Sequence, residues 1–326
     1  MKLGRTELKH GLILAPMAGF TDRAMRVVCR EMGAELLVTE MVSAKAVVYK
    51  DRKTHKLARI LHDEAPCSVQ IFGSEPDIMA KAAEVLSLGE EGAVPPVAID
   101  INMGCPVPKV FSNGEGSALM RDPDLIYKIV RSVSGATSLP VTVKMRAGVD
   151  SAHRNAVECA LAAEEGGAAL IGVHGRTRVE MYSGKADREI IKNVKNSVRI
   201  PVIANGDVAS GEEAVLMLRE TGADGIMIGR GAIGNPFVFR EVIAALEGKA
   251  YTPPALCERV ECALYQLRLA VEEKGEECAV REARKQIALY LRSFHGAATI
   301  RAQVNRANTY LEVEAALRTA SADNGE

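Results

Sequence analysis

Tryptophan is absent from this 326-residue chain, and aromatic residues make up only 4% of it. Any platform for stacking flat rings or bases must therefore be small. An excess of one charge is missing too. The formal net charge is -1, which excludes a molecule that holds nucleic acid by its overall field but leaves room for a local basic patch. Cysteine pairing is also missing. The seven thiols (Cys29, Cys67, Cys105, Cys159, Cys257, Cys262 and Cys278) include no C-x-x-C pair, and no histidine lies at finger-like spacing. A disulfide framework and a zinc site are both disfavoured, no metal is expected, and unpaired thiols fit a reducing, cytoplasmic compartment. The N-terminal MKLGRTELKHG has no apolar signal core. No run comes near the roughly 20 apolar residues of a membrane span, so no membrane association is expected.

What is present is alternation. Eight short apolar runs recur: GLILAPMAG (11–19), AELLVTEM (34–41), CSVQIFG (67–73), VAIDINMG (97–104), PVTVKMRAG (140–148), ALIGVHGRT (169–177), PVIANGDV (201–208) and GIMIGRG (225–231). Each is near-continuously apolar, as parallel strands buried on both faces are. The segments EPDIMAKAAEVLSLG, DLIYKIVRSVSGA, AVECALAAEEGG and GEEAVLMLRETG read as helices, each ending near a glycine that can take the left-handed C-cap conformation. Strand–helix alternation repeated about eight times predicts an α/β fold, a (β/α)8 TIM barrel over residues 1–248. A doubly wound open sheet is the alternative. Glycines clustered near runs seven and eight favour the barrel. The Pro-rich YTPPA (251–255) then breaks the pattern. LCERVECALYQLRLAVEEKG, CAVREARKQIALYLRSF and ATIRAQVNRANTYLEVEAALRT predict a small all-helical C-terminal domain over 255–320, with the tail SADNGE frayed.

In such barrels chemistry sits at the C-terminal ends of the strands. Those ends carry Pro16 and Met17, Gln70, Asn102 and Cys105, Lys144 and Arg146, His174 and Arg176, Asn205-Gly206-Asp207, and Gly229-Arg230-Gly231. Polar groups inside apolar strands are costly unless partnered, so a set of them at equivalent ends points to one mouth. Asn-Gly-Asp and Gly-Arg-Gly are two tight turns or, taken together, a phosphate cradle of backbone N–H groups. Lys144 needs an anionic partner, either a ligand or a structural carboxylate such as Asp100 or Glu40. Gln70 offers donor and acceptor to a ring edge or to the barrel interior. His174 is a ligand contact or a satisfied structural histidine. Cys29, Cys67 and Cys159 fit small core hydrophobes. Cys105, in a Gly-Cys-Pro turn at the mouth, fits a general acid, which needs only reach and a suitable pKa.

APMAGFTDRAMR, VQIFGSEP, DINMGCPVPKV, GEGSALMRDP, VTVKMRAG, VHGRTR, YSGKADREIIK, VIANGDV and IGRGAIGNPFVF together resemble the tRNA-dihydrouridine synthases, with wording closest to the bacterial B-type branch. The C-terminal RKQIALYLRSFHGAATIR resembles that branch as well. The resemblance implies an FMN enzyme that uses NADPH to reduce uridine to 5,6-dihydrouridine in tRNA, at its D-loop. Hydride would pass from flavin N5 to C6, and Cys105 would give the proton to C5. It further implies cofactor contacts from Pro16, Met17, Ala18, Gln70, Lys144 and His174. Asn205, Gly206, Asp207, Gly229 and Arg230 would bind the phosphate end, and Asn102 and Arg176 would help seat the target base or the flavin.

The helical tail supplies the RNA argument. Between Arg281 and Tyr310, six cations (Arg281, Arg284, Lys285, Arg292, Arg301 and Arg306) stand against Glu282, a local net charge of +5. Such density binds phosphates without reading sequence. Of these, Arg284, Lys285, Arg292 and Arg301 are the expected RNA contacts, with Tyr290, Phe294 and Tyr310 as stacking or core aromatics. No obligate protein partner is expected. Ribosomal RNA, or a small dihydropyrimidine or dihydroorotate-type substrate, are the alternatives.

Overall fold

The computed structural model describes residues 1–89, 92–292, 294 and 296–323. Its centre is a parallel barrel of β1 (Leu12–Leu14), β2 (Leu37–Val38), β3 (Cys67–Phe72), β4 (Ile99–Met103), β5 (Val141–Arg146), β6 (Leu170–His174), β7 (Val202–Asn205) and β8 (Gly225–Ile228). Neighbours pair in chain order from β2 to β8, and β8 returns to β1. One parallel bridge, Ile13 to Leu36, closes the ring. All eight apolar runs hold a strand, and the open-sheet alternative is set aside.

Within each strand, alternate residues serve two environments. Val69, Ile71, Ile99, Ile101, Val141, Val143, Ile171 and Val173 face the helices and belong to the large outer core. Their in-between neighbours, Gln70, Asp100, Asn102, Thr142, Lys144 and His174, lie on the opposite, interior face, because successive strand side chains point opposite ways. Below them a second apolar cluster joins Ile13, Leu36, Ala98, Leu170, Ile203 and Met227 to Leu3 and Leu8. Those two come from and follow the antiparallel hairpin Lys2–Leu3/Thr6–Glu7. The hairpin thus plugs the N-terminal end of the barrel, and the polar interior opens only at the C-terminal mouth.

Helices α1 (Arg23–Glu31), α2 (Ala44–Val48), α3 (Pro76–Ser87), α4 (Pro123–Ala136), α5 (Ala156–Gly166), α6 (Arg188–Ser197), α7 (Gly211–Thr221) and α8 (Val238–Leu246) surround the strands. α5 and α7 end on left-handed Gly167 and Gly222, as expected. α4 does not: it runs through Gly135 and ends at extended Thr137. Thr137 is fixed there instead by a 2.6 Å hydroxyl contact with Ser87.

After the irregular 250–255 segment come α9 (Leu256–Lys274), α10 (Glu276–Ile287), α11 (Ala297–Arg306) and α12 (Tyr310–Asp323). The segment expected as one final helix is therefore two. Thr309 accepts from the Glu312 N–H, and Glu312 accepts from the Asn308 N–H at 2.7 Å. This is the Thr-x-x-Glu entry signature of a new helix. Ser321–Asp323 of the expected frayed tail belong to α12, and its last three residues lie outside the described residues. The C-terminal helices share one core with the barrel: Cys29 of α1 lies in the same cluster as Cys262, Leu264 and Tyr290.

Candidate active site

The thiol loop is held from three sides. Asn102, the last inward residue of β4, turns its Oδ1 to the N–H groups of Gly104 (3.2 Å) and Cys105 (2.9 Å). Ser117 donates both its hydroxyl (2.7 Å) and its N–H (3.2 Å) to the Cys105 carbonyl. Gly116, at φ +61°, lets that segment close in, since a Cβ there would stand 3.0 Å from the Cys105 Cβ. Arg146 completes the clamp by donating to the carbonyls of Gly104 (2.8 Å), Thr177 (2.9 Å) and Met181 (3.0 Å). It was noted in the sequence as a strand end but given no role. The period-two step from Lys144 to Arg146 was the available signal. Cys105 itself is half-buried. Burial pushes its thiol above the ordinary range, against the opposing pull of the Val107 N–H, Arg146 and Lys144. It stays protonated at neutral pH, as an acid must. Cys29, Cys67 and Cys159 are core residues, as expected.

Gln70 is 1% exposed and sits inside the barrel. Its Nε2 donates to Asp100 (2.6 Å), and its Oε1 accepts from Asn102 Nδ2 (2.8 Å). One N–H and one lone pair are left for a ligand.

Lys144 takes neither of the carboxylate partners considered from sequence. Asp100 is bonded by Gln70 and Thr142, and Glu40 accepts the Gly19 N–H. Its stem passes Gly172, its partner across the β5–β6 ladder, with Cγ 3.7 Å from where a Cβ would stand. Burial, then Arg146, bring its ammonium down to about 8, against the pull of Asp100 and Cys105. A half-buried cation inside the barrel, with no ion pair among the described residues, is a site waiting for an anion or an acceptor.

His174 is buried at the end of β6. Burial, with Lys144, Arg146, Arg176 and Arg230 around it, brings the imidazole down to about 2, so it is neutral. Arg176 Nη1 approaches its Nε2 at 3.4 Å. A guanidinium only donates, so Nε2 accepts and Nδ1 carries the hydrogen.

Arg176 is 1% exposed. Its guanidinium also donates to the carbonyls of Ser183 (2.9 Å) and Gly184 (2.6 Å) and to Asp207 Oδ2 (2.7 Å). The fold thus engages it as a strut beneath the mouth.

The loops after β7 and β8 lock together. Gly206, at φ +133°, has Ala186 2.5 Å from where its Cβ would stand, and Gly231 has the Val208 carbonyl at 2.3 Å. The glycines are thus needed for close packing as well as for any ligand. No hydrogen bond engages the backbone N–H groups of Gly206, Asp207 or Val208 among the described residues. Asn205 is turned to the Met227 carbonyl (2.7 Å). Asp207, at φ +53°, accepts from Arg176, from the Ala186 N–H (2.7 Å) and from Arg230 (3.2 Å). Burial opposes its charge, yet these donors hold it below the ordinary carboxylate range. Its carboxylate repels an anion, so only its N–H suits a phosphate. Arg230 stays half-exposed and lies over the Tyr182 ring at 4.6 Å. Free N–H groups with a neighbouring guanidinium match the chemistry of a phosphate.

On the β1 side, Met17 bonds Thr21 (2.8 Å), and its sulfur lies 3.4 Å from where a Gly229 Cβ would stand. Pro16 is partly exposed and Ala18 exposed at the rim. The helical region reaches this rim: Lys285 lies over Phe20 at 5.0 Å, Gln286 donates to the Phe20 carbonyl (3.3 Å), and Lys274 pairs with Asp22 (2.6 Å).

The basic patch divides. Arg281, Lys285, Arg292 and Arg306 are exposed, and Arg301 is partly so. Arg284 is instead a bracket, donating to Ala307 O (2.7 Å) and Asn308 Oδ1 (3.2 Å), and so closes the α11–α12 turn. Tyr290 is fully buried with its hydroxyl on Gln266 (2.6 Å), which removes it as a stacking partner. Phe294 and Tyr310 pack against the core. Among the described residues no cluster of metal-ligating side chains occurs and no helix is long and apolar enough to cross a membrane.

Comparison with known proteins gives the same family as the motifs. The dihydrouridine synthase model matches residues 13–324. tRNA-dihydrouridine synthase B of Pseudomonas aeruginosa is 42% identical over 310 residues, covering 94% of this chain and 91% of that one. tRNA-dihydrouridine synthase B of Shewanella oneidensis is 44% identical over 292 residues, covering 89% of each. Among solved structures, histamine dehydrogenase from Rhizobium sp. 4-9 superposes with a TM-score of 0.57 at 13% identity, covering 82% of this chain and 50% of that longer one. That likeness is one of fold.

Proposed function

The chain belongs to the dihydrouridine synthase family, and on that premise we propose that it reduces uridine to 5,6-dihydrouridine in tRNA, with FMN as cofactor, NADPH as reductant and Cys105 as proton donor. The observation that carries this reading is the convergence, on one mouth, of a clamped and protonated Cys105 with a half-buried Lys144 that has no ion pair among the described residues.

The residues present fit a flavin mononucleotide. The Gly206, Asp207 and Val208 N–H groups and Arg230 suit its phosphate, and Lys144 offers positive charge to its pyrimidine edge. Pro16, Met17 and Ala18 line the rim beside them. When bound, the flavin supplies the two electrons that reduce the C5=C6 bond of the uracil. Cys105 Sγ gives its proton to C5. Neutral His174 does not compete as an acid, and its Nδ1–H would be available to donate to a ligand carbonyl. Asn102 keeps the thiol loop in place.

RNA is favoured over a small pyrimidine because exposed cations continue from α10 to the rim at Lys285. The target uridine must leave its stack to enter the mouth. The test is direct. Purified protein, reconstituted with FMN and given NADPH and an unmodified tRNA transcript, should convert uridine to dihydrouridine by nucleoside mass spectrometry. Conversion of free uridine or orotate in place of the transcript would overturn the RNA reading.

A further inference from the structure

We infer that Asp100 is a positioning residue: as an acceptor with no donor of its own, it sets the direction of a hydrogen-bond relay that ends on the Cys105 loop. The inference rests on Cys105 being the proton donor.

The relay runs through interior residues of three adjacent strands. Thr142 donates to Asp100 Oδ1, and Gln70 Nε2 donates to Asp100 Oδ2 (2.6 Å). Asn102 Nδ2 donates to Gln70 Oε1 (2.8 Å). The Gly104 and Cys105 N–H groups then donate to Asn102 Oδ1 (3.2 and 2.9 Å). Gln70 and Asn102 are amides, and an amide can be turned end for end with little change of shape. An acceptor-only group at one end and the donor-only Gly104 and Cys105 N–H groups at the other together forbid that. Burial raises the Asp100 carboxyl, while the Thr142 and Gln70 donors and nearby Lys144 favour its charged form; as a carboxylate it accepts on both oxygens, so Gln70 must present nitrogen to it and oxygen to Asn102. Asn102 must then present oxygen to the Cys105 loop. Asp100 is 4% exposed.

An isosteric asparagine at position 100 weakens the instruction, because it can meet Gln70 with oxygen or with nitrogen. It can donate to Gln70, turning Gln70 and then Asn102, which sets the Asn102 NH2 against the two loop N–H groups. Two buried donors facing each other push the loop away. A proton donor displaced by about 1 Å loses on the order of 100-fold in rate.

The test uses the full chain loaded with FMN and reads kcat, KM for a tRNA transcript, and the iodoacetamide alkylation rate of Cys105 by peptide mass spectrometry. Asp100→Asn should lower kcat by about tenfold or more, leave KM within about twofold, and shift the alkylation rate by about threefold or more. Thr142→Val, which keeps the carboxylate and its Gln70 bond, should stay within about threefold of the parent in kcat. Unchanged kcat and alkylation in Asp100→Asn overturn the relay. So does a kcat loss with unchanged alkylation, because a merely structural defect would give that. If Asp100→Asn does not fold, alkylation is compared in Asn102→Asp and Asn102→Leu. The first keeps an acceptor toward Cys105 and should preserve the rate; the second should change it, and equal rates in the two overturn the relay. Full turnover in Cys105→Ala would instead sink the proton-donor reading, and the alkylation comparison judges the relay separately from it.

Discussion

Cys105 and Lys144 divide the chemistry by charge. The thiol is raised and keeps its proton; the ammonium is lowered and is ready to lose its own. Removing the thiol in Cys105→Ala should cost about 100-fold or more in turnover, the usual worth of a placed acid, while FMN and tRNA binding persist. Steady-state kinetics beside a fluorescence titration of bound flavin would check both halves. Lys144 gives a pH prediction. Its folded value is about 8 against an ordinary 10.5, so between those pH values the unfolded chain binds more protons. Stability of the flavin-free protein should therefore rise from pH 8 to 10.5 through this group, and Lys144→Met should abolish that rise. The same variant should bind FMN more weakly. Thermal melts across pH, with and without FMN, read both effects. A melting profile unchanged by Lys144→Met would show the lysine to be well solvated.

At this scale the sequence was informative where a residue type was out of place and silent where partners decide. Lys144 in an apolar strand announced itself. For Arg176 the sequence offered the base or the flavin, and it does not show that the Ser183 and Gly184 carbonyls and Asp207 surround the guanidinium. Gln70, seen as a ring contact or an interior bond, has half its hydrogen-bonding capacity engaged by the relay.

Elements carry a second contrast, between Arg284 and Lys285, adjacent on α10. Arg284 closes the α11–α12 turn, so Arg284→Ala should lower stability by about 1–2 kcal/mol in chemical denaturation. Lys285 stands at the barrel rim, so Lys285→Glu should leave stability within about 0.5 kcal/mol while weakening tRNA binding and flattening its salt slope by about one. A stability loss in Lys285→Glu equal to that in Arg284→Ala would contradict the division. The final helical stretch was read as continuous because hydrophobic periodicity runs through 307–309. The Thr309-x-x-Glu312 signature that breaks it was present and passed over. The strands were legible because each run is apolar on its outward face. Their inward polar alternation, 100–102 and 142–144–146, was the finer signal.

Across the whole molecule, a net charge of -1 coexists with a basic edge at 281–306 because acidic residues elsewhere in the helical region, such as Glu272, Glu273, Glu276 and Glu277, balance those cations. The late glycines correctly favoured a closed barrel, but its closure at Ile13 and Leu36 and the hairpin plug depend on tertiary packing that no local pattern displays. The helical region is bound to the barrel through a common core, so a chain ending at residue 250 would bare Cys29 and its neighbours on α1. It should be insoluble or lose its cooperative melt, as judged by calorimetry. A cooperative, soluble 1–250 fragment would show the two parts to be independent.

The measurement that reaches the central claim most directly is position-mapped nucleoside mass spectrometry. It would be applied to RNA from cells lacking this gene and from the same cells carrying either the parent chain or Cys105→Ala. The proposed function predicts loss of dihydrouridine at defined tRNA positions, restored by the parent and not by Cys105→Ala. Unchanged tRNA dihydrouridine without the gene, or full restoration by Cys105→Ala, would contradict it.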